Sequence, residues 1–307
     1  MAFYSDNAFY GGGYVHAKKE GALVRGSEAP LCDAARELKY QLESCSAVIV
    51  GAGAGLSTAA GLGYSGKRFA DNFADFQDRF GIADMYSGGF YPFPDLETYW
   101  AWWSRHIKLN RYDAGPTELY LRLFELLQDK NYFVLTTNVD HQFQLAGFDK
   151  QRLFYTQGDY GLLQCANNCS NEVVRNEALV YEMVERQRNM RVPSELVPVC
   201  PHCGSFMVPN LRVDNNFCEP RGWHEAARRY SDFCERYNDG RVLYLELGVG
   251  GNTPVIIKYP FWRAVAQNAN STYVCLNLGE AHAPSRISER SILIDADINR
   301  VVALLEQ

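Results

Sequence analysis

Four cysteines in two close pairs carry the most specific chemistry in this sequence. Three residues separate Cys165 from Cys169, two separate Cys200 from Cys203, and about thirty lie between the pairs. Four thiolates suit a tetrahedral zinc ion, and Cys200-Pro-His-Cys-Gly has the tight-turn character of a zinc knuckle. A site closed by four thiolates keeps no open coordination position, so its expected role is in folding and not in catalysis. His202 is the alternative for one of the four ligands. The other cysteines, Cys32, Cys45, Cys218, Cys234 and Cys275, are scattered and read as small core or half-buried residues.

The second chemical feature is a run of glycines. Val48-Ile49-Val50-Gly51-Ala52-Gly53-Ala54-Gly55-Leu56-Ser57 puts small residues where an apolar segment turns into a helix. Glycines at such a turn let the backbone approach a pyrophosphate, and the start of the helix favours its negative charge. The spacing departs from G-x-G-x-x-G, because Leu56 stands where the third glycine would be. On residues alone, a glycine-rich turn without a ligand stays open. Thr136-Thr137-Asn138-Val139-Asp140 ends another apolar run. By residue type alone, its Asn and Asp read as turn caps.

Such segments need a scaffold that brings strand ends together. Asp33 to Leu42 reads as a helix, and Ala47 to Val50 as a short buried strand. Thr117 to Asp129 is a helix, Tyr132 to Leu135 a strand and Leu153 to Tyr155 another short strand. Glu172 to Arg191 reads as a charged helix and Gly222 to Tyr237 as a further helix. Beyond them the chain alternates: strand Val242 to Leu247, helix over most of Pro254 to Ala269, strands Tyr273 to Leu278 and Ile292 to Ile294, helix Ile298 to Glu306. Strand–helix alternation at both ends predicts an α/β fold, a Rossmann-like parallel sheet with helices on both faces. Two segments interrupt it. Residues 64–112 are rich in aromatics, with Phe69, Phe73, Phe76 and Phe80 on one helix face, and read as a helical insertion with its own core, part of which also suits closure over a ligand. Residues 160–215 hold the cysteine pairs and form a small zinc-binding module. Residues 1–30 show no clear period and are expected to form an irregular arm.

Composition excludes several classes. The chain has 307 residues, a hydrophobic fraction of 47% and a net charge of −6, which argues against a partner held by nucleic-acid phosphates. Met1 to Gly13 does not read as a signal peptide, and the longest apolar run, Ala47 to Leu62, is broken by four glycines and two hydroxyl residues, so neither a leader nor a membrane span is expected. A cytoplasmic protein is expected, in which clustered cysteines point to metal and not to disulfides.

Taken together, the motifs resemble the sirtuin family. Gly53-Ala54-Gly55-Leu56-Ser57-Thr58-Ala59-Ala60-Gly61-Leu62 is similar to its GAG-I-S-x-x-x-G-I, and Thr136 to Asp140 to its T-Q-N-I-D. The paired cysteines resemble its zinc module, Gly248-Val249-Gly250 its G-T-S, and Leu276-Asn277-Leu278 the strand-end Asn that meets the adenosine. The likeness spans roughly residues 45 to 300, and residues 1–307 read as a single catalytic domain of this kind, with 64–112 as an insertion in the cofactor loop. The departures are specific. Gly63-Tyr64-Ser65-Gly66 replaces P-D-F-R, Thr137 replaces the Gln, and Gln157-Gly158 replaces the family's His-Gly. With Asp84 to Phe90, this pattern is similar to the macrodomain-linked (class M) sirtuins.

The resemblance implies an NAD-dependent protein ADP-ribosyltransferase. NAD would be its co-substrate and zinc its structural ion. The acceptor would be a lipoylated glycine-cleavage H-like carrier protein, and a macrodomain hydrolase would reverse the modification. It implies cofactor contacts at Gly53, Ala54, Gly55, Ser57, Thr137, Asn138, Val139, Asp140, Gln157, Gly248, Val249, Gly250, Asn277 and Leu278, with Asn138, Asp140 and Gln157 catalytic. A glutamine amide forms hydrogen bonds but does not usefully take up a proton, so deacylation, which needs a base, is disfavoured. NAD hydrolysis, deacylation and a non-catalytic NAD-binding module are the competing readings. A dehydrogenase is the weakest, because no acidic residue follows the glycine loop at the expected spacing in a ribose-binding strand.

Overall fold

Strands covered by helices on both faces must be apolar throughout, and the runs flanking the glycine loop are. Every residue of Ala47–Ala52, Tyr132–Thr136 and Val242–Leu247 is buried. The computed structural model describes residues 23–25, 28–251 and 254–306. The described strands are β1 (Leu23–Arg25), β2 (Ala47–Ala52), β3 (Tyr132–Thr136), β4 (Leu153–Tyr155), β5 (Gly158–Cys165), β6 (Val173–Arg175), β7 (Met207–Leu211), β8 (Val242–Leu247), β9 (Thr272–Leu276) and β10 (Ser291–Asp295). A seven-stranded, all-parallel sheet has the order β1-β10-β9-β8-β2-β3-β4. Most of the expected arm over residues 1–30 lies outside the described residues.

The pleat of β2 divides the core in two. Val48 and Val50 face the helices Glu28–Ser44, Glu118–Leu127 and Ile298–Leu305, against Leu38, Leu123 and Val301. Ile49 faces the helices Arg221–Arg236 and Lys258–Gln267, with Phe261 and Val265. Gly51 lies on this second face, where a Cβ would stand 2.3 Å from Ile257 Cγ2, so the strand packs close only without a side chain.

The aromatic and cysteine segments share a third core. Phe69, Phe73, Phe76, Trp100 and Trp102 pack with Val180, Met183, Cys165 and Cys200. Asp84 and Asp95 start two helices of this lobe by accepting from the amides of Ser87 and Thr98, and left-handed Gly81 ends the helix Gly66–Phe80. Beside it β6, β5 and β7 make a three-stranded antiparallel sheet. Here the sequence reading needs correction. The helix expected over Glu172 to Arg191 covers only Glu177–Arg186, because Val173–Arg175 extends as β6 against β5. The sequence Val173-Val174-Arg175, largely exposed, shows no apolar–polar alternation to mark a strand. Among the described residues, no helix is long and apolar enough to cross a membrane.

Candidate active site

In a parallel sheet, ligands bind beyond the carboxyl ends of the strands, where the strand order reverses. Here the chain winds from β2 outward through β3 and β4, and from β8 outward the other way, so the reversal lies between β2 and β8. The turns leaving those two strands touch. Gly53 donates to Leu247 O at 3.0 Å and Gly55 to Gly248 O at 2.9 Å. A Cβ on Gly53 would meet Gly248 O at 2.7 Å, and one on Gly248, whose φ is +60°, would meet Leu56 N at 2.4 Å. Asn277, at the end of β9, donates to Val249 O at 2.9 Å and fixes the second turn from the far side. Gly250 and Leu278 are exposed next to these contacts. The result is a backbone-lined crevice that side chains do not fill, which suits close approach of a phosphate-bearing ligand.

The loop leaving β3 closes one side of the crevice. Thr137 donates from its amide to Ala52 O at 3.1 Å. Asn138 Nδ2 donates to Gly53 O at 2.9 Å and to the Tyr120 hydroxyl at 3.2 Å. Ser57 Oγ donates to Asp140 Oδ2 at 2.5 Å and lies 3.0 Å from the same tyrosine hydroxyl. Asp140 Oδ1 accepts the Gln142 amide at 3.0 Å. Burial pushes the Asp140 carboxyl up, against the hydrogen bonds from Ser57 and Gln142. Burial also drives the Tyr120 hydroxyl well above its ordinary range, with the Asp140 charge adding to it.

Gln157 follows β4 at the same edge of the sheet. It is half-buried, its carbonyl accepts the Arg212 amide at 3.1 Å, and its side-chain amide has no hydrogen-bond partner among the described residues. Gly158 beside it has φ +97°, and a Cβ there would lie 1.9 Å from Asn210 O. The Tyr160 amide donates to Val139 O at 3.0 Å, so the chain after Gln157 runs alongside the Asn138–Asp140 loop. The sequence-predicted residues from Gly53 to Ser57, Thr137 to Asp140, Gln157, Gly248 to Gly250, Asn277 and Leu278 thus all lie at the carboxyl edge of one sheet.

Sequence reasoning missed the polar residues that tie this edge together. Tyr120 occupies an inward position of an amphipathic helix and reads as core, since its hydroxyl partners are 63 and 18 residues away. The Tyr64 hydroxyl lies 2.7 Å from that of Tyr160, which lies 2.9 Å from His106 Nε2. This chain links the glycine-loop extension, β5 and the aromatic lobe. Burial, reinforced by the Arg68 charge, pushes the His106 imidazole down to about 3, so the ring is neutral. Asp159 and His141, joined through Nδ1 at 2.5 Å, stand two residues after Gln157 and next to Asp140, yet form no motif in the sequence.

The four predicted cysteines converge. All four sulfurs lie within 4.8 Å of one another, with Cys165–Cys203 and Cys169–Cys200 at 3.5 Å. Those separations match four sulfurs about 2.3 Å from a shared tetrahedral ion, so the donor set fits zinc. The Ser205 hydroxyl and amide hold the Cys203 thiol down to about 6, and the amides of Cys203 and His202 lower Cys200. Cys169, which shares protons with Cys203 and Cys200, is pushed up to about 12. A divalent cation removes the repulsion that four neighbouring thiolates would feel. His202 instead contacts Glu172 at 2.8 Å.

Comparison with known proteins agrees with this architecture. No protein-family model matches the chain. A protein ADP-ribosyltransferase of Staphylococcus aureus (strain Mu50 / ATCC 700699) is 36% identical over 269 residues, 87% of this chain and 85% of that protein. A probable bifunctional ADP-ribose hydrolase/ADP-ribosyltransferase of Fusarium oxysporum f. sp. cubense is 31% identical over 98% of this chain, which spans 52% of that longer protein. Among solved structures, a Sir2–p53 peptide–NAD+ complex superposes with a TM-score of 0.52 at 19% identity, covering 87% of this chain and 95% of its own, and so shares the fold. By sequence kinship and by fold, the chain belongs to the protein ADP-ribosyltransferases built on the sirtuin scaffold.

Proposed function

We propose that the protein uses NAD as co-substrate, releases nicotinamide and transfers ADP-ribose to a side chain of a protein acceptor. The observation that carries this reading is the hydrogen bond from Asn138 to Gly53 O. It makes the turn suited to a pyrophosphate and the polar loop suited to a ribose one preorganised unit at the switch point of the sheet. Preorganised dipoles aimed at developing charge are the main lever on a reaction that passes through an oxocarbenium-like ribose. Bound NAD supplies the ribose carbon whose bond to nicotinamide breaks. Asn138 orients the ribose, and Asp140, anchored by Ser57, holds the nicotinamide side of the pocket.

Gln157 supports transfer over deacylation. Its side-chain amide, without a hydrogen-bond partner among the described residues, can orient the ribose or the acceptor, but it does not take a hydroxyl proton. The macrodomain-linked reading adds the acceptor and the reversing partner: a lipoylated glycine-cleavage H-like carrier protein and a macrodomain hydrolase. The Fusarium relative, which is named for an ADP-ribose hydrolase as well as a transferase, supports such a pairing. Zinc, held by Cys165, Cys169, Cys200 and Cys203, stabilises the small lobe and takes no part in the chemistry.

The test uses labelled NAD with an unmodified and a lipoylated H-like carrier protein and an acetyl-lysine peptide, with Asn138→Ala as control. One ADP-ribose gained on the carrier by intact mass, and lost in the control, is the expected result. Free ADP-ribose with no modified protein would instead indicate a hydrolase, and peptide deacetylation would mean that Gln157 does not remove what we assign to it.

A further inference from the structure

His141 follows Asp140 directly and has a left-handed backbone, with φ at +69°. Histidine is among the few side chains enriched in that conformation, which here starts the short helix Gln142–Leu145. The ring meets β5, where Nδ1 lies 2.5 Å from Asp159 Oδ2. Asp159 is buried and held by two further donors. It accepts from Arg111 Nε at 2.9 Å and from the Gly161 amide at 2.7 Å. Burial alone would raise its carboxyl, but His141 and Arg111 outweigh burial and hold it below the usual carboxylate range. An anionic carboxylate only accepts, so Nδ1 is the donor, and in the singly protonated ring the lone pair is on Nε2.

That second nitrogen is available. Nε2 has no hydrogen-bond partner among the described residues, and the His141 side chain is 27% exposed. The dyad also sits in the candidate site. His141 adjoins Asp140, Asp159 is two residues from Gln157, and the bond between Val139 O and the Tyr160 amide holds the two segments side by side. A base oriented by a buried carboxylate is the arrangement that activates nucleophiles in unrelated enzymes.

We propose that His141 is the general base of the transfer step, with Asp159 as its positioning residue, and that the acceptor therefore enters with a proton on its nucleophilic atom. This rests on the ADP-ribosyl transfer reading. In the step, the bond between the ribose C1′ and the nicotinamide nitrogen breaks, and its electron pair leaves with nicotinamide, which departs neutral. The acceptor oxygen, sulfur or nitrogen bonds to C1′. Its proton passes to His141 Nε2 and from there to water. This proton is the acceptor's and not the ribose-hydroxyl proton that deacylation removes; Gln157 cannot take it, and His141, bound to Asp159 two residues after Gln157, is the side chain we assign to it.

Two small nucleophiles test the assignment without the natural acceptor. Methanol must lose a proton as it attacks, whereas azide need not. The protein is incubated with NAD and both together, and methyl-ADP-ribose and azido-ADP-ribose are quantified by mass spectrometry. His141→Asn is the variant, since Asn also tolerates the left-handed backbone. The azide-to-methanol product ratio is expected to rise at least tenfold in His141→Asn and to rise in Asp159→Asn as well. An unchanged ratio in His141→Asn, within twofold, overturns the base assignment whatever the total rate, because a purely structural role lowers both products alike. If the parent protein releases nicotinamide with neither probe, nor water, nor the carrier protein, the transfer reading itself fails and takes the base with it, a result seen before any variant is made.

Discussion

Ser57 and Asp140 meet at 2.5 Å although 83 positions separate them in the chain. Their contact joins the short helix after β2 to the loop after β3 and buries a carboxylate at the edge of the crevice. Burial is the largest influence on that carboxyl and raises it above its value in the unfolded chain. The folded state therefore binds the proton more tightly than the unfolded state. Stability falls as pH rises from the unfolded Asp range, near 3.8, through the raised folded value. At pH 7 the charged form of Asp140 costs stability that function requires. Asp140→Asn is expected to raise the melting temperature at pH 7 by about 2 °C or more while cutting nicotinamide release at least about 100-fold. The melting gain should shrink towards pH 4. A variant less stable than the parent at pH 7 would contradict this account.

The zinc assignment is open to removal of the ion. The sulfurs of Cys165 and Cys200 belong to the same core as Phe73, Trp102 and Met183, so the metal and the aromatic lobe should unfold together. Purified protein is expected to hold one zinc per chain by elemental analysis. A strong chelator, or Cys200→Ser, should lower the melting temperature by 10 °C or more, in line with the large folding free energy such sites contribute. Tryptophan fluorescence should change in the same transition, because Trp100, Trp102 and Trp103 pack in that core. Protein prepared without stoichiometric zinc and yet equally stable would remove the structural role.

Much of this arrangement was legible in sequence because it is local. The apolar runs ending in glycine or in Thr-Asn, and the cysteine spacings, specify strand ends and a metal site within a few residues each. What was not legible depends on contacts across the chain. Glu172 to Arg191 reads as one helix because charged residues recur along its whole length. Only the pairing of Leu163 with Val174 turns its start into an edge strand. Tyr120 and His106 look like core residues, since nothing nearby announces the partners of a hydroxyl 63 residues from Ser57 or an imidazole 54 residues from Tyr160. The aromatic and cysteine segments read as two insertions, and only packing of Phe69 and Trp102 with Val180 and Met183 makes them one lobe. His141 is the instructive case. It stands next to Asp140 in sequence, but its significance comes from Asp159, which a second strand delivers.

The same reasoning applies to the buried imidazole behind the site. His106 Nε2 lies 2.9 Å from the Tyr160 hydroxyl, Nδ1 has no partner among the described residues, and the ring is packed by Trp102, Trp103 and Tyr64. Burial, with help from the Arg68 charge, lowers it from 6.5 to about 3. Between those values the unfolded chain binds a proton that the folded chain does not. Stability therefore falls as pH is lowered from about 6.5, and His106's share of that loss is complete near 3. His106→Asn leaves nothing to titrate there. At pH 7 the variant should be less stable, because the Tyr160 hydroxyl loses one of its two partners and the aromatic core loses volume. Between pH 6.5 and 4.5 its stability should decline less steeply than the parent's. Urea midpoints taken every half unit across that range measure both slopes. Parallel slopes would show that the imidazole is protonated in the folded protein and that Tyr64, Tyr160 and His106 do not form a neutral chain.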